Sequence, residues 1–396
     1  MKSNPESRFN LPIPDAESKA HSDRVSAYIC QIIEKNGGSI SFSEFMHHAL
    51  YAPGMGYYAA GAAKLGRAGD FVTAPEISPL FGRVVARQIA FVLAQTGGGE
   101  VFEPGAGTGA LAVSILEKLA ELDVLPGRYL ILEVSADLKE RQEARIRSEV
   151  PQFLDRVHWI SELPADFKGV VVANEVADAI PVDRFRIFDD EVWEARVSME
   201  RGKFVWQFAI APEPLREFVR NIEIDIDRAF KNGYESEVSR GLGNWVTDIC
   251  NAVQEGVVLL VDYGVSRREY YASERVQGWL RCHFRHHAHD NPLLWPGIQD
   301  ITAWVDFSMV AKSASAAGMA VAGYVSQVHF LLNGGLEDEL NGFTSLPLVE
   351  QIELAAQVKL LTLPAEMGEN FKCIGLSRGD IMAPPALLAS DRAHLL

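Results

Sequence analysis

The chain has 396 residues, a formal net charge of −16 at pH 7, and 48% hydrophobic against 23% charged residues. That balance belongs to a globular chain with a sizeable core in one large domain or two ordinary ones, and the acidity argues against sequence-independent binding of nucleic acid or insertion at an anionic membrane. Cys30, Cys250, Cys282 and Cys373 form no CxxC pair, which points away from a zinc knuckle or disulfide framework and toward a reducing compartment.

The opening stretch MKSNPESRFNLPIPDAESKA shows neither the apolar run of a signal peptide nor the Arg-rich, acid-poor character of a mitochondrial transit peptide, so a cytoplasmic location is expected. No apolar run approaches the roughly 20 residues that span a bilayer. Residues 1–95 read as a helical region interrupted by YAPGMGYYAAGAAKLGRAGDFVTAPEIS, a loop rich in glycine and aromatics and suited to be a lid. Within it Asp70 and Thr73 are candidate cofactor contacts, although Thr73 serves equally well as a helix cap. Tyr57 and Tyr58 offer faces for a cation, and Glu76 adds a carboxylate on the substrate side.

From residue 96 the pattern alternates. VFEPG is followed by a helix over about 110–122, then RYLILEV, a helix around 138–149, VHWIS, GVVVANE and later GVVLLVDY. Short, fully apolar, β-branched runs separated by helices predict an α/β chain with a Rossmann-like, mostly parallel sheet covered on both faces. Residues 96–184 and 256–380 are expected to form this core. Between them, 185–255 change to near alternation in RFRIFDDEVWEARVSMERGKFVWQFAI, an inserted antiparallel meander turning at Asp189-Asp190 and Arg201-Gly202. MAVAGYVSQVHFLL and NFKCIGLSR are two further strand candidates, with a helical insertion over 336–366 whose apolar faces read as core before dimer surface. A homodimer stays open.

FEPGAGTGAL places Glu103, Gly105, Gly107 and Gly109 at a strand-to-helix junction, where glycine lets the backbone approach a ligand and the helix start offers free N–H groups. The spacing also fits a dinucleotide fingerprint, with Glu133 after RYLIL as the ribose acid. A carboxylate directly before the glycines repels a pyrophosphate and attracts a cationic amino group, which favours S-adenosylmethionine over NAD. Glu133 would accept hydrogen bonds from ribose hydroxyls, or cap a helix. Ser161, with Trp159 and Glu162, stands after the third strand, where adenine would lie.

GDFVTAPEISPLFG, EPGAGTGAL, ILEVSADLKERQ, NEVADAIPVDRF, LLVDYG, GWLRCHFRHHAHDNPLLWPGIQDITAWVDF and MGENFKCIGL, in this order, resemble the MidA-like family of S-adenosylmethionine-dependent methyltransferases. The resemblance implies the class I methyltransferase fold with a seven-stranded, mostly parallel sheet, S-adenosylmethionine as cofactor and a protein arginine as acceptor, with methylation of a small molecule or another protein side chain, or a non-catalytic assembly chaperone that keeps the fold, as the alternatives. Mitochondrial members of that family are complex I assembly factors that methylate an arginine of a core subunit. Many members read ELGPGRGTL at the glycine loop; this chain keeps the acid and alternate glycines and moves the proline.

A guanidinium acceptor gives VVANEVADAIP a purpose. Carboxylates that grip two of its N–H groups leave the third nitrogen more nucleophilic, so Glu175 and Asp178 are the candidate catalytic residues, and Asn174 a cofactor contact. A helical first turn after the strand would put both acids on one face, and the competing reading is an N-cap at Asn174 followed by dipole-favouring acids. RCHFRHHAHDNP invites a metal reading, but its spacing matches no common ligand set and methyl transfer needs none. His283 or His289 is expected near substrate instead. Asp262 and Tyr263 end a core strand and are candidate substrate contacts, whereas Asp300 and Thr302 read as caps first.

Overall fold

The computed structural model describes residues 11–60 and 73–396. Asp70 lies outside the described residues.

The central strands are β1 (Glu100–Pro104), β2 (Tyr129–Leu132), β3 (Val157–Ile160), β4 (Phe167–Asn174), β5 (Val253–Val265), β6 (Ala320–Ser326) and β7 (Phe371–Arg378). They lie side by side in the order β6-β7-β5-β4-β1-β2-β3. Neighbours from β5 through β3 pair in parallel, and β7 runs antiparallel to both β5 and β6. An eighth, two-residue strand, Val305–Asp306, joins the end of β5 in parallel, so the sheet is mixed and eight-stranded where seven strands were expected. Gly264 admits that extra strand: a Cβ there would meet the Val305 carbonyl at 2.4 Å.

Both faces of the sheet are covered, which is why its strands are apolar at consecutive positions. Val101, Val170, Val172, Val257, Leu259 and Val261 pack with helices Pro79–Gln95 and Ala110–Glu121. Their strand neighbours Phe102, Val171, Ala173, Val258 and Leu260 pack with helices Arg240–Ala252 and Phe307–Ala316. Each of these Val, Leu and Phe side chains removed from water contributes about 1.5–3 kcal/mol. Because β1, β2, β4 and β5 run parallel, the glycine loop, Glu133, Glu175 and the end of β5 all emerge at one edge, where ligands bind in open α/β sheets.

The meander Asp183–Phe188, Glu191–Glu200 and Lys203–Ile210 forms as the alternation predicts. It continues into a five-stranded antiparallel sheet with Ser39–Ser41 and Glu235–Val238 on its edges. Helices Ala16–Lys35 and Phe42–Tyr51 pack against it through Val25, Ile29, Phe42 and Phe45. Ser41 caps the second helix, its hydroxyl accepting from the Glu44 N–H at 3.1 Å. None of the helices is long and apolar enough to cross a membrane among the described residues.

Several local expectations change. MAVAGYVSQVHFLL is strand only to Ser326; Gln327–Asn333 is helix, because Gln327, Phe330 and Leu331 fall on one buried face at helical spacing. The Leu348–Thr362 helix, read as core, buries Leu361 alone, with Leu348, Val349 and Ile352 exposed. Asp300 and Thr302 are not caps but lie in strand Asp300–Thr302; Asp306 does the capping, accepting from Met309 N–H at 3.2 Å. Residues 175–182 form a turn, with no helix to cap or to align Glu175 with Asp178.

Candidate active site

A cavity of about 440 Å³ opens at the sheet edge. Of the sequence-predicted residues, Glu103, Gly105, Gly107, Glu133, Asn174, Glu175, Thr73, Glu76 and Tyr58 line it. Gly109, Ser161, Tyr57, Asp178, Asp262, Tyr263, His283 and His289 do not. Gly109 instead starts helix Ala110–Glu121 in a left-handed conformation (φ +85°), and an added Cβ would come into ordinary contact with Gln142 Cα at 3.4 Å. Ser161 is exposed beyond β3, and Tyr57 is packed in the core beneath the N-terminal helices.

The cofactor end is built from β1 and β2. Gly105 (φ +69°) and Gly107 (φ +54°) hold backbone conformations that side chains disfavour, and a Cβ on Gly105 would sit 3.1 Å from Val176 Cγ2. Glu103 is buried and accepts the Tyr129 hydroxyl at 2.6 Å. Burial pushes its carboxyl up to about 7, against the pull of that bond. Glu133 is held by the Ser135 N–H at 2.8 Å and by Gln142 Nε2 at 2.9 Å.

The opposite end is acidic. β4 continues one pairing past Asn174, the Glu175 N–H donating to the Val261 carbonyl at 2.9 Å. There the backbone turns left-handed (φ +54° at Glu175), a conformation costing about 1 kcal/mol for a non-glycine residue. Glu175 Oε1 accepts from Ala74 N–H at 3.3 Å and Asn174 Nδ2 at 3.1 Å. Its Oε2, like Asn174 Oδ1, is buried with no partner among the described residues. Burial first, then Asp178, pushes the Glu175 carboxyl up to about 8.

Asp178 and Asp262 lie buried behind it, both pushed upward by desolvation first. Asp262 accepts backbone N–H groups of Ala177, Asp178 and Tyr263 at 2.9, 3.2 and 2.8 Å. Those donors favour its charge and oppose the upward push of burial. None of Glu175, Asp178 and Asp262 has a salt bridge among the described residues.

Aromatic rings form the wall between. Tyr51 and Tyr58 stack at 5.6 Å; the Tyr58 hydroxyl donates to Asp300 at 2.9 Å and that of Tyr51 to the Ala179 carbonyl at 3.0 Å. Tyr263 faces a second cavity, beside Glu353 and Met367. His283 and His289 belong to the small sheet of Arg281–Phe284, His287–His289 and Asp300–Thr302. His289 is buried and held down to about 4, by desolvation and then His283. Among the described residues no group of three or more His, Cys, Asp or Glu is arranged to hold a metal.

Sequence reasoning missed Gln142, Arg145, Tyr51 and Trp245, all in or behind the cavity wall. The sequence offers one signal, the uncharged Gln142 in the otherwise charged run ADLKERQEARIRSE, and only the fold shows that it is buried.

A glycine cradle with a carboxylate on either side suits a cationic nucleoside, and comparison with known proteins decides its kind. Residues 84–325, more than half the chain, match the family model for S-adenosyl-L-methionine-dependent methyltransferases of MidA-like type. The chain belongs to this family. A solved protein from Burkholderia thailandensis bound to S-adenosyl-homocysteine is 39% identical, with a TM-score of 0.91 over 98% of this chain and 100% of that one. Human "protein arginine methyltransferase NDUFAF7, mitochondrial" is 29% identical over 86% of this chain and 81% of its own length. The Drosophila melanogaster homologue is 27% identical over 93% and 89%.

The protein is therefore an S-adenosylmethionine-dependent methyltransferase of α/β fold, with S-adenosylmethionine as its cofactor. The cytoplasmic location expected from its N-terminus and cysteines is overturned: these curated relatives are named mitochondrial. Composition reports on the folded domain, and compartment is addressed by segments the fold does not need.

Proposed function

We propose that this methyltransferase methylates a guanidinium nitrogen of an arginine in a protein substrate. The observation that carries the reading is the floor of the cavity, where Glu175 has a buried oxygen without a partner and neither it nor Asp178 nor Asp262 has a counter-ion among the described residues. Desolvated carboxylates left without a cation are costly. A planar cation whose two neighbouring N–H groups point the same way relieves that cost by donating both to Oε2. Relatives named protein arginine methyltransferases agree with this chemistry, and the substrate class we propose on the family resemblance is a respiratory-complex subunit met during assembly.

The residues present fit the cofactor. Glu133 would accept from ribose hydroxyls, Glu103 would face the cationic amino group, the backbone at Gly105 and Gly107 permits close approach, and Thr73 and Asn174 complete the wall. Bound there, S-adenosylmethionine supplies an electrophilic methyl group on a sulfonium. Glu175 grips two guanidinium N–H groups, localising positive charge on those nitrogens and leaving the third free to attack. It also takes the proton that the methylated nitrogen must lose. Asp178 and Asp262 act from beneath, through their field rather than by contact, and Tyr51 and Tyr58 keep water from the acceptor's stem.

The test is incubation of the purified protein with methyl-labelled S-adenosylmethionine and a lysate of cells lacking it, with label located by mass spectrometry. Monomethyl- or dimethylarginine in a protein is expected; label on lysine or on a small molecule alone would sink the arginine reading.

A further inference from the structure

Helix Ala136–Glu149 bears on both ends of the cavity from one face. Gln142, fully buried, donates through Nε2 to the Gly107 carbonyl at 2.9 Å and to Glu133 Oε2 at 2.9 Å, while its Oε1 accepts Trp159 Nε1 at 2.9 Å. The amide cannot face the other way: its oxygen would then oppose a carbonyl and a carboxylate, and the indole N–H would meet an NH₂. Gln142 thus ties the glycine loop to the acid after β2 through a single side chain.

One turn onward, Arg145 Nη1 donates to Thr108 Oγ1 at 2.6 Å and to Glu76 Oε1 at 2.7 Å, and the Thr108 hydroxyl itself donates to Glu76. Glu76 lies in the short helix Ala74–Ile77, whose first residue donates its N–H to Glu175. The path from Glu133 to Glu175 runs through adjacent residues of the glycine loop, Gly107 and Thr108. This helix holds it at Glu133 and Gly107 through Gln142 and at Thr108 and Glu76 through Arg145, and the last step, Ala74 to Glu175, is direct.

We propose that Gln142 and Arg145 are positioning residues that register the two halves of the site: Gln142 the cofactor half, through Glu133 and Gly107, and Arg145 the acceptor half, through Glu76 and the segment that meets Glu175. Neither touches the reacting atoms. Glu133 needs support because it is largely buried and desolvation raises its carboxyl; two donors behind it keep the charge and aim the remaining lone pairs at the cavity. Arg145 neutralises Glu76, which otherwise adds an unpaired acid beside Thr108 and pushes Ala74 away from Glu175. The cofactor half follows from the established cofactor; the acceptor half rests on the role proposed for Glu175.

Calorimetric titration of the whole protein separates the two. For the cofactor half, Gln142→Met, which keeps volume and loses all three bonds, is expected to weaken S-adenosyl-homocysteine binding about 10-fold to 100-fold. In a Glu133→Gln background the same change should cost about 3-fold or less, since its partner's charge is gone. Trp159→Phe, which removes one bond and spares the fold, should weaken binding by about 3-fold. An equal loss from Gln142→Met in both backgrounds, or no loss in the parent, overturns this half.

For the acceptor half the probe is sinefungin, which carries an amine where the transferable methyl would be, compared with S-adenosyl-homocysteine, which carries nothing there. The parent is expected to prefer the amine. Arg145→Met should reduce that preference about 10-fold while leaving S-adenosyl-homocysteine affinity within about 3-fold, whereas Gln142→Met should weaken both ligands alike. An unchanged preference in Arg145→Met overturns the role of Arg145. A parent with no preference overturns the reading of Glu175 and the acceptor half together, and leaves the cofactor half to its own cycle.

Discussion

The backbone N–H of Ala74 donates to Glu175 Oε1 at 3.3 Å, joining positions 101 residues apart. Through this bond the N-terminal segment closes the site built at the end of β4. One carboxylate oxygen is committed to structure, and the other, Oε2, is buried with no partner among the described residues.

Glu175→Gln tests the role directly. The amide oxygen still accepts from Ala74, so cofactor affinity should stay within about 3-fold, while methyl transfer falls by about 100-fold or more. Transfer that survives the substitution removes Glu175 from the mechanism.

The same variant should be more stable than the parent in alkaline solution. Glu175 is pushed up to about 8 in the folded chain from an ordinary 4.5. Between those values the folded form holds a proton that the unfolded form has released, so this group's contribution falls as pH rises across the window. A melting temperature measured without ligand should favour Glu175→Gln by several degrees near pH 9, and little near pH 5. Gripping a cation requires the ionised form, so kcat/KM for the acceptor should climb about tenfold per pH unit up to about 8 and then level.

At the cofactor end, Glu103 is pushed up to about 7 by burial. Cofactor binding should therefore strengthen as pH rises through 7, because only the ionised form attracts the amino group. Glu103→Gln should abolish that pH dependence and weaken binding about 10-fold, as read by calorimetry.

Gly105→Ala places a Cβ 3.1 Å from Val176 Cγ2 on a backbone at φ +69°. A stability loss of about 1 kcal/mol is expected from the left-handed conformation. Cofactor affinity should drop further than stability, because Val176 adjoins Glu175 and also lines the cavity.

Tyr58→Phe deletes the 2.9 Å bond to Asp300 and keeps the ring. A loss of about 1 kcal/mol in urea unfolding is expected, with an increase in acceptor KM and little change in cofactor affinity.

The alternation of apolar strands and helices, the glycines after β1, the acid after β2 and the acid after β4 could all be read in the sequence, because each depends on local chemistry: backbone freedom, strand period and strand-end position. Local chemistry also misled. NEVADAIP reads as a helix start, yet a left-handed Glu175 turns the chain aside, and what holds it is Ala74, brought there by the fold. Leu348, Val349 and Ile352 look like core residues and are exposed, since apolar content does not say which face finds a partner.

By itself the sequence determined an α/β methyltransferase with a cradle for a cationic cofactor and an acid at the fourth strand's end, all set by residues within a few positions of one another. Only the tertiary structure decided that Asp178 and Asp262 are buried behind Glu175 and not in the cavity lining. It alone brought Tyr58 to Asp300, separated by 242 positions, and gave Gln142 and Arg145 their partners. Such contacts join segments far apart in the chain, and whether a carboxylate keeps its charge depends on what the fold packs around it.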